Sequence, residues 1–324
     1  MEKKSVKFII GSFRNGILTC LMKDDRIFQM NFEGSSASQV GNIYIGKVQH
    51  IVKNINAAFI DIGEELPAFY SLENNKCHLF TDHKKHGALK EGDEIIVKIK
   101  KDAVKTKSPV CSAKFGEAQS KDFLEKSAFR KAPCCLKKAE PFWLHAVSRV
   151  SADEISEVVT DRKEVFSVLS GHHIPCRFYE DPLLPLSKLY SFETAVSDAT
   201  SKNVWLKSGG YLVIEPTEAM TVIDVNTGKT DVRSDKENTI RRTDIEAAEE
   251  IARQLRLRNI SGIIMVDFID LKEKEERDSL IKLLQGYLDE DPVETKALDI
   301  TKLYIVEIVR EKTGRPFTDQ IRMR

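Results

Sequence analysis

The sequence predicts an α/β protein with more than one domain. Its 324 residues exceed what one hydrophobic core usually organises. Short β-favouring runs with Gly and Asn turns dominate residues 41–115, whereas strand and helix patterns alternate over residues 205–324. These observations predict a small β-barrel followed by a mixed α/β domain.

The composition is that of an ordinary globular protein and does not by itself name a partner. Lys plus Arg and Asp plus Glu both number 50, so net charge neither supports nor excludes nucleic acid. No apolar run approaches the ~20 residues that cross a bilayer, and the first residues do not form a signal peptide. The six scattered cysteines predict free thiols in a reducing compartment. We therefore expect a cytoplasmic protein without membrane contact.

The first hundred residues predict strands separated by tight turns. Residues 6–10 and 17–22 favour strands, and Arg14-Asn15-Gly16 forms the turn between them. The small polar stretch 34–38 predicts a linker. The barrel strands are expected over residues 43–48, 57–62, 68–70 and 94–100, the last with the period-two alternation of a half-buried strand.

The last third of the chain carries the clearest pattern. The predicted elements are a close strand pair over 211–214 and 220–225, a helix over 243–258, a buried strand over 262–268, a second helix over 272–288 and a strand over 303–309. Thr243 and Glu246 have the spacing of a capping box at the start of the first helix, and Asn259 is expected to end it.

Two aspartates stand at the ends of apolar runs in this region. Asp224 lies in Val-Ile-Asp-Val-Asn, and Asp267 follows Ile-Ile-Met-Val. If these strands are buried neighbours, the two carboxylates repel each other, and Mg²⁺ relieves the repulsion because it prefers oxygen ligands. Asn226 would add a carbonyl or hold a metal-bound water. The structural alternative is that each acid only ends a strand.

Aromatic and basic residues of the predicted barrel suit single-stranded RNA. Phe59 and Phe69 flank a turn that contains Gly63, and bases stack on such rings while lysines meet phosphates. Six lysines crowd one stretch, at positions 98, 100, 101, 105, 107 and 114. The alternative is a core phenylalanine pair beside a solvated lysine face. The Cys77-His78-x4-His83-x2-His86 spacing matches no zinc finger, and no zinc is expected.

These motifs resemble the ribonuclease E/G family. Residues 42–48, Asn-Ile-Tyr-Ile-Gly-Lys-Val, and residues 57–63, Ala-Ala-Phe-Ile-Asp-Ile-Gly, are similar to the opening of its S1 domain. The stretches 208–226, 244–258 and 262–270 are similar to its catalytic domain. The resemblance implies a split RNase H-like domain, with its first segment over 1–38 and its second segment over 119–200. It also implies an S1 (OB-type) barrel over 39–118 and a DNase I-like catalytic domain over 201–324.

The resemblance also implies roles for individual residues. Asp224 and Asp267 match the metal-binding aspartates of the family, and Asn226 matches the asparagine beside them. Phe59 and Phe69 match the aromatic residues of the S1 domain that bind RNA. The implied reaction is hydrolysis of single-stranded RNA to 5′-phosphate and 3′-hydroxyl ends, with Mg²⁺ or, as the alternative, Mn²⁺. Further basic residues expected to contact RNA are Lys107, Lys229, Arg253 and Arg256. For Arg256, which lies on a predicted helix, the alternative is a solvated side chain.

Two departures from the family pattern carry expectations of their own. The Arg-Thr and Gly-rich motif of the 5′-monophosphate sensor is absent between Lys107 and Phe123, which argues against 5′-end sensing. The C-P-x-C zinc link is absent before Arg324, which argues against a zinc-linked tetramer. Two other functions stay open from the sequence: a non-catalytic S1-type RNA-binding protein, and a nuclease that acts on DNA.

Overall fold

The computed structural model describes residues 6–34, 39–82, 87–103, 107–228, 236–269 and 273–322. The predicted linker over 34–38 is wrong at its first residue, because Gly34 is the last residue of a strand. Its other residues, 35–38, lie outside the described residues, as do Lys105, His83, His86 and Lys229. The chain divides into two compact units, one formed by residues 1–35 and 146–324 and the other by residues 36–145.

The strands and helices alternate along the chain as follows. The strands are β1 (Val6–Phe13), β2 (Gly16–Lys23), β3 (Arg26–Gly34), β4 (Ile43–Val52), β5 (Ala57–Asp61), β6 (Ala68–Ser71), β7 (Glu94–Lys101), β8 (Val110–Ser112), β9 (Cys134–Lys137), β10 (Ile155–Thr160), β11 (Cys176–Phe178), β12 (Asn203–Trp205), β13 (Tyr211–Pro216), β14 (Thr221–Asn226), β15 (Gly262–Asp267), β16 (Thr295–Ile300) and β17 (Ile305–Arg310). The helices are α1 (Glu117–Ser127), α2 (Phe142–Ser148), α3 (Lys163–Gly171), α4 (Leu186–Leu189), α5 (Phe192–Thr200), α6 (Lys236–Leu257), α7 (Lys274–Leu288) and α8 (Phe317–Arg322).

The first sheet joins two distant stretches of the chain. Its strand order is β11-β10-β1-β2-β3, with β1 parallel to β10 and antiparallel to β2. The β1–β2 hairpin turns at Arg14, whose positive φ of 49° such a tight turn requires, so the predicted turn is confirmed. Residues near 155–178 therefore complete a sheet that begins at the N-terminus.

The second compact unit contains a closed five-stranded barrel. Strands β4, β5, β6, β8 and β7 pair in that order, and β7 returns to β4. Residues 95, 97 and 99 point into the barrel with Tyr44, Ile60 and Tyr70, which confirms the predicted alternation of β7. Strand β9 extends the sheet along β4, and Phe123 of α1 packs with Leu136 outside the barrel interior. The compact unit thus continues past residue 118 to His145.

The third sheet carries the two aspartates. Its order is β12-β13-β14-β15-β17-β16, and β14 and β15 are parallel neighbours joined through α6. The predicted strand pair is the antiparallel β13–β14 pair. Helices α6 and α7 bury apolar side chains against one face of this sheet, including Ala248, Ile251 and Leu284. The opposite face is the one that carries the site.

The predicted start of α6 is wrong. The helix begins at Lys236, so Thr243 lies inside it, where its hydroxyl donates a hydrogen bond to the carbonyl oxygen of Thr239 (2.9 Å). A serine or threonine inside a helix bonds the carbonyl one turn back in this way, and its spacing from Glu246 is then no sign of a cap. The predicted end is confirmed, because Asn259 adopts a left-handed conformation with φ of 48° just beyond Leu257.

All six cysteines are free thiols, as the sequence predicts. Within the stretches of the chain that the structure describes, helices are too short or too polar to cross a membrane.

Candidate active site

Asp224 and Asp267 occupy opposite positions on two neighbouring parallel strands. The register of β14 and β15 aligns Asp224 with Asp267. Residues opposite each other in a sheet have their side chains on the same face, with Cβ atoms about 5 Å apart. The sequence located each acid near a strand end, and the structure brings the two strands side by side.

Both carboxylates are exposed, which corrects the expectation that these strands are buried throughout. In β14 the buried residues alternate with exposed Val222 and Asp224, and in β15 Asp267 is exposed beyond buried Val266. The reason is that α6 and α7 cover one face of the sheet only. The carboxylates therefore lie where a solvated substrate can reach them.

Asn226 holds Asp224 in place. Its side-chain amide donates a hydrogen bond to Asp224 Oδ2 at 2.9 Å. Asn226 lies two residues after Asp224 on the same strand, so the two side chains share a face. The amide fixes one carboxylate oxygen and leaves the other free to bind.

The negative charges of Asp224 and Asp267 are close enough to affect the pKa of Asp267. Partial burial raises the pKa of Asp267, and the negative charge of Asp224 raises this pKa further. Two carboxylates in one exposed row thus carry a repulsion that a bound cation would remove. Among the described residues no group of three or more His, Cys, Asp or Glu side chains has a geometry suited to a metal.

Two glycines let the loops beside the site approach closely. A Cβ on Gly210 would lie 2.7 Å from the carbonyl oxygen of Asn226, and one on Gly228 would lie 2.2 Å from the carbonyl oxygen of Gly209. Gly228 also has a φ of 66°. The residues after β14 consequently pack directly on the turn before β13.

Helix α6 anchors both loops of the site. Glu246 accepts a hydrogen bond from the backbone N–H of Ser208 (2.8 Å), and buried Asp244 accepts one from the N–H of Ile269, two residues after Asp267 (3.1 Å). Neither role is predicted from the sequence, because Glu246 has the spacing of a cap and Asp244 has no local motif. Only the packing of α6 on the sheet shows what these acids bind.

Arg253 is not brought to the carboxylate pair. Its guanidinium pairs with Glu250 on the same helix and donates to the carbonyl oxygen of Ile27 in the first sheet (3.2 Å). The RNA contact predicted for Arg256 is not supported, because Arg256 is buried and stacks on the Phe28 ring, 4.2 Å from its centroid. An RNA contact by Arg253 would be made away from the two aspartates and stays a prediction, as does any contact by Lys229, which lies outside the described residues.

The barrel aromatics lie side by side on its outer surface. Phe59 on β5 is opposite Phe69 on β6, and their ring centroids are 5.9 Å apart in an edge-to-face arrangement. Both are half-buried, whereas their neighbours Ala58 and Tyr70 point into the barrel core. The expectation of a core phenylalanine pair is thus excluded by the alternation of these strands. Lys107 is exposed in the segment that leads into β8.

The barrel and the carboxylate row together define a class of protein. A closed five-stranded barrel with surface aromatics is consistent with the OB-type domains that bind single strands. An exposed pair of aspartates is typical of enzymes that act on phosphate esters with a divalent metal. The combination is that of a nucleic-acid-processing enzyme.

The chain belongs to the ribonuclease E/G family, a family of endoribonucleases, which it matches over residues 73–313. It is 28% identical to ribonuclease G of Haemophilus influenzae (strain ATCC 51907 / DSM 11121 / KW20 / Rd), over 85% of this chain and 72% of that protein. It is 43% identical to ribonuclease G of Salmonella typhimurium (strain SL1344) over 40% of this chain and 26% of that protein. It is 33% identical to ribonuclease E of Nostoc sp. (strain PCC 7120 / SAG 25.82 / UTEX 2576), over 57% of this chain and 28% of that protein. The resemblance of the motifs is thereby confirmed.

Proposed function

We propose that this chain cuts single-stranded RNA by hydrolysis, with Asp224 and Asp267 holding the catalytic metal. The observation that carries the proposal is the parallel register that puts both carboxylates in one exposed row. Water attacks the phosphorus in line, the bond from phosphorus to the 3′-oxygen breaks, and the 3′-oxygen leaves and takes up a proton, so the products are a 5′-phosphate and a 3′-hydroxyl.

The donor set fits a hard divalent cation. Two carboxylates and a nearby amide are oxygen donors of the kind that Mg²⁺ and Mn²⁺ take. Partial burial and the negative charge of Asp224 both raise the pKa of Asp267, and a cation bound beside the two carboxylates would favour their ionised forms.

The residues of the chain have separate tasks in this reaction. When bound, the metal supplies an acidified, oriented water and neutralises charge on the phosphate. Asp224 and Asp267 would hold this metal, on two strands that the sheet keeps in register. Asn226 keeps Asp224 in one rotamer through its 2.9 Å hydrogen bond.

The barrel supplies RNA affinity in this proposal. Phe59 and Phe69 present adjacent ring faces and edges to solvent, and a base stacks on such rings without regard to sequence. Lys107 meets the backbone phosphates. The barrel is the S1 domain of this scheme, the sheet formed by β1–β3, β10 and β11 is the split RNase H-like domain, and the sheet of β12–β17 is the DNase I-like domain.

One comparison of substrates tests the function. The full chain is incubated with a single-stranded RNA and a DNA of the same sequence, each with Mg²⁺ and with EDTA. We expect cleavage of RNA alone, abolished by EDTA and restored by added Mg²⁺. RNA binding without cleavage would support the alternative, a non-catalytic S1-type binding protein, and cleavage of the DNA would reveal a nuclease of broader specificity.

A further inference from the structure

Trp205 and Tyr211 form an aromatic pair on the same sheet face as the two aspartates. Their ring centroids are 5.2 Å apart with an interplanar angle of 51°. Trp205 is 71% exposed at the end of β12, whereas the other tryptophan, Trp143, is 4% exposed. An exposed tryptophan held by a second ring is a costly surface feature unless something binds to it.

The strand registers connect this pair to the active site. Trp205 lies opposite Tyr211, and Tyr211 lies opposite Asn226. Asn226 in turn bonds Asp224. With strands ~4.8 Å apart and a rise of ~3.4 Å per residue, the Trp205 backbone lies about 12 Å from that of Asp224. An extended single strand covers this distance within a couple of nucleotides.

The turn after Trp205 is fixed and carries a positive charge. The N–H of Leu206 donates to the carbonyl oxygen of Gly210 (2.8 Å), and the N–H of Ser208 donates to Glu246 on α6 (2.8 Å). Lys207 is exposed between these two anchored residues. The aromatic pair is therefore on a rigid element, which limits the entropy lost when a ligand binds.

We propose that Trp205, supported by Tyr211, is a stacking platform for one base of the RNA substrate, a short distance from the phosphate that is cut. Lys207 contacts the backbone phosphate next to that base. A ring that is open to solvent, beside a lysine and in line with the catalytic row, suits a nucleobase and its phosphate better than an apolar protein surface. This inference rests on the proposed function, because it takes the substrate of that same site.

Three variants of the aromatic pair separate stacking from simple apolar contact. Trp205→Phe keeps a ring, whereas Trp205→Leu and Tyr211→Leu do not. With a single-stranded RNA oligonucleotide and Mg²⁺, we expect Trp205→Leu to raise KM about 10-fold with kcat little changed, and Trp205→Phe to stay near the wild type. Tyr211→Leu should fall between them. Equal KM values for Trp205→Leu and the wild type would overturn the platform.

RNA substrates that lack a single base can identify the nucleotide that stacks on Trp205. An abasic nucleotide is moved stepwise through the oligonucleotide around the cut. We expect one position near the cut at which the missing base raises KM for the wild type and has no further effect in Trp205→Leu. If at every position the missing base and the Trp205→Leu substitution raised KM independently, a direct contact between Trp205 and a base would be contradicted. A protein partner for this face would then be favoured.

A binding measurement keeps the platform separate from catalysis. Stacking of a base quenches tryptophan fluorescence, and buried Trp143 provides the constant background. In the Asp267→Asn variant, the RNA should quench the signal of Trp205, and the quenching should vanish in the double variant with Trp205→Phe. Quenching without any metal-dependent cleavage by the wild type would retain the platform and reject the nuclease. Cleavage without quenching would retain the nuclease and reject the platform.

Discussion

Asp224 lies directly opposite Asp267 in the parallel register of two neighbouring strands. The pairing depends on α6, which leads from β14 to β15 and places them side by side. One face of the sheet is covered by helices, so the carboxylates emerge on the other face, where Asn226 bonds Asp224. The proposed metal site depends on this pairing of two carboxylates.

Substitution of either aspartate tests the metal site. Asp224→Asn and Asp267→Asn should abolish cleavage while the affinity for RNA remains, because each removes a charged ligand of the proposed metal and leaves the barrel intact. Asn226→Ala should lower activity by about 10–100-fold, since it frees the carboxylate it orients. Rates and RNA binding are measured on the same preparations.

Asp278→Asn is the matched control for these variants. Asp278 is an exposed aspartate of α7, the helix that covers the opposite face of the sheet. Its substitution should leave cleavage unchanged. Mg²⁺-dependent cleavage that survives in either Asp224→Asn or Asp267→Asn would contradict the assignment of the metal site.

The aromatic pair of the barrel predicts a loss of RNA affinity. Phe59→Ala or Phe69→Ala should weaken the binding of single-stranded RNA by about 1–3 kcal/mol, because each removes a stacking surface. Fluorescence anisotropy of a labelled oligonucleotide measures the change. Phe129→Ala is the control, since Phe129 belongs to the same compact unit and is 99% exposed. A larger effect from Phe129→Ala would show that RNA follows another surface.

Because the sensor motif is absent, we expect the rate of cleavage not to depend on the chemical group at the 5′ end of the RNA. Two RNAs that differ only in a 5′-monophosphate or a 5′-hydroxyl should be cut at similar rates, because the Arg-Thr and Gly-rich motif is absent between Lys107 and Phe123. Initial rates at substrate concentrations below KM give the comparison. A strong preference for the monophosphate would mean that other residues of the chain bind the 5′ end.

The environment of Glu250 predicts that its contribution to the free energy of unfolding depends on pH. Burial alone raises the pKa of Glu250, but Arg253, with Gln254 and Arg26, more than offsets this, and the pKa lies below its usual value. Its contribution is therefore complete above the unfolded-state pKa of about 4.3 and is lost as the pH falls through the lower folded-state pKa.

Urea unfolding at several pH values measures this contribution. At pH 7, Glu250→Gln should lower the free energy of unfolding by about 1–3 kcal/mol, because the half-buried Arg253 loses its charged partner. The difference from the wild type should shrink below about pH 4. Glu294→Gln, which breaks an exposed pair with Lys296, should change little at any pH. A constant difference across the pH range would show that the charge of Glu250 is not involved.

Local sequence patterns predicted four of the five barrel strands and the succession of strands and helices from β13 to α7, and they singled out Asp224 and Asp267. They did not predict β3, β8, β9, β11, β12 or β16. The alternation in β7, the turn at Arg14 and the helix end at Asn259 depend on residues close in sequence, so periodicity and backbone preference predict them. The same patterns failed for the start of α6, because Thr243 bonds a carbonyl one turn back rather than capping the helix.

The tertiary structure decided which of these residues meet. It aligned Asp224 with Asp267, turned Arg253 towards the first sheet and set Trp205 in line with Asn226. It also joined strands near residues 10 and 160 into one sheet. Such neighbours are set by the burial of apolar faces and by hydrogen bonds between distant segments of the chain, and a single sequence carries no periodicity that reports them.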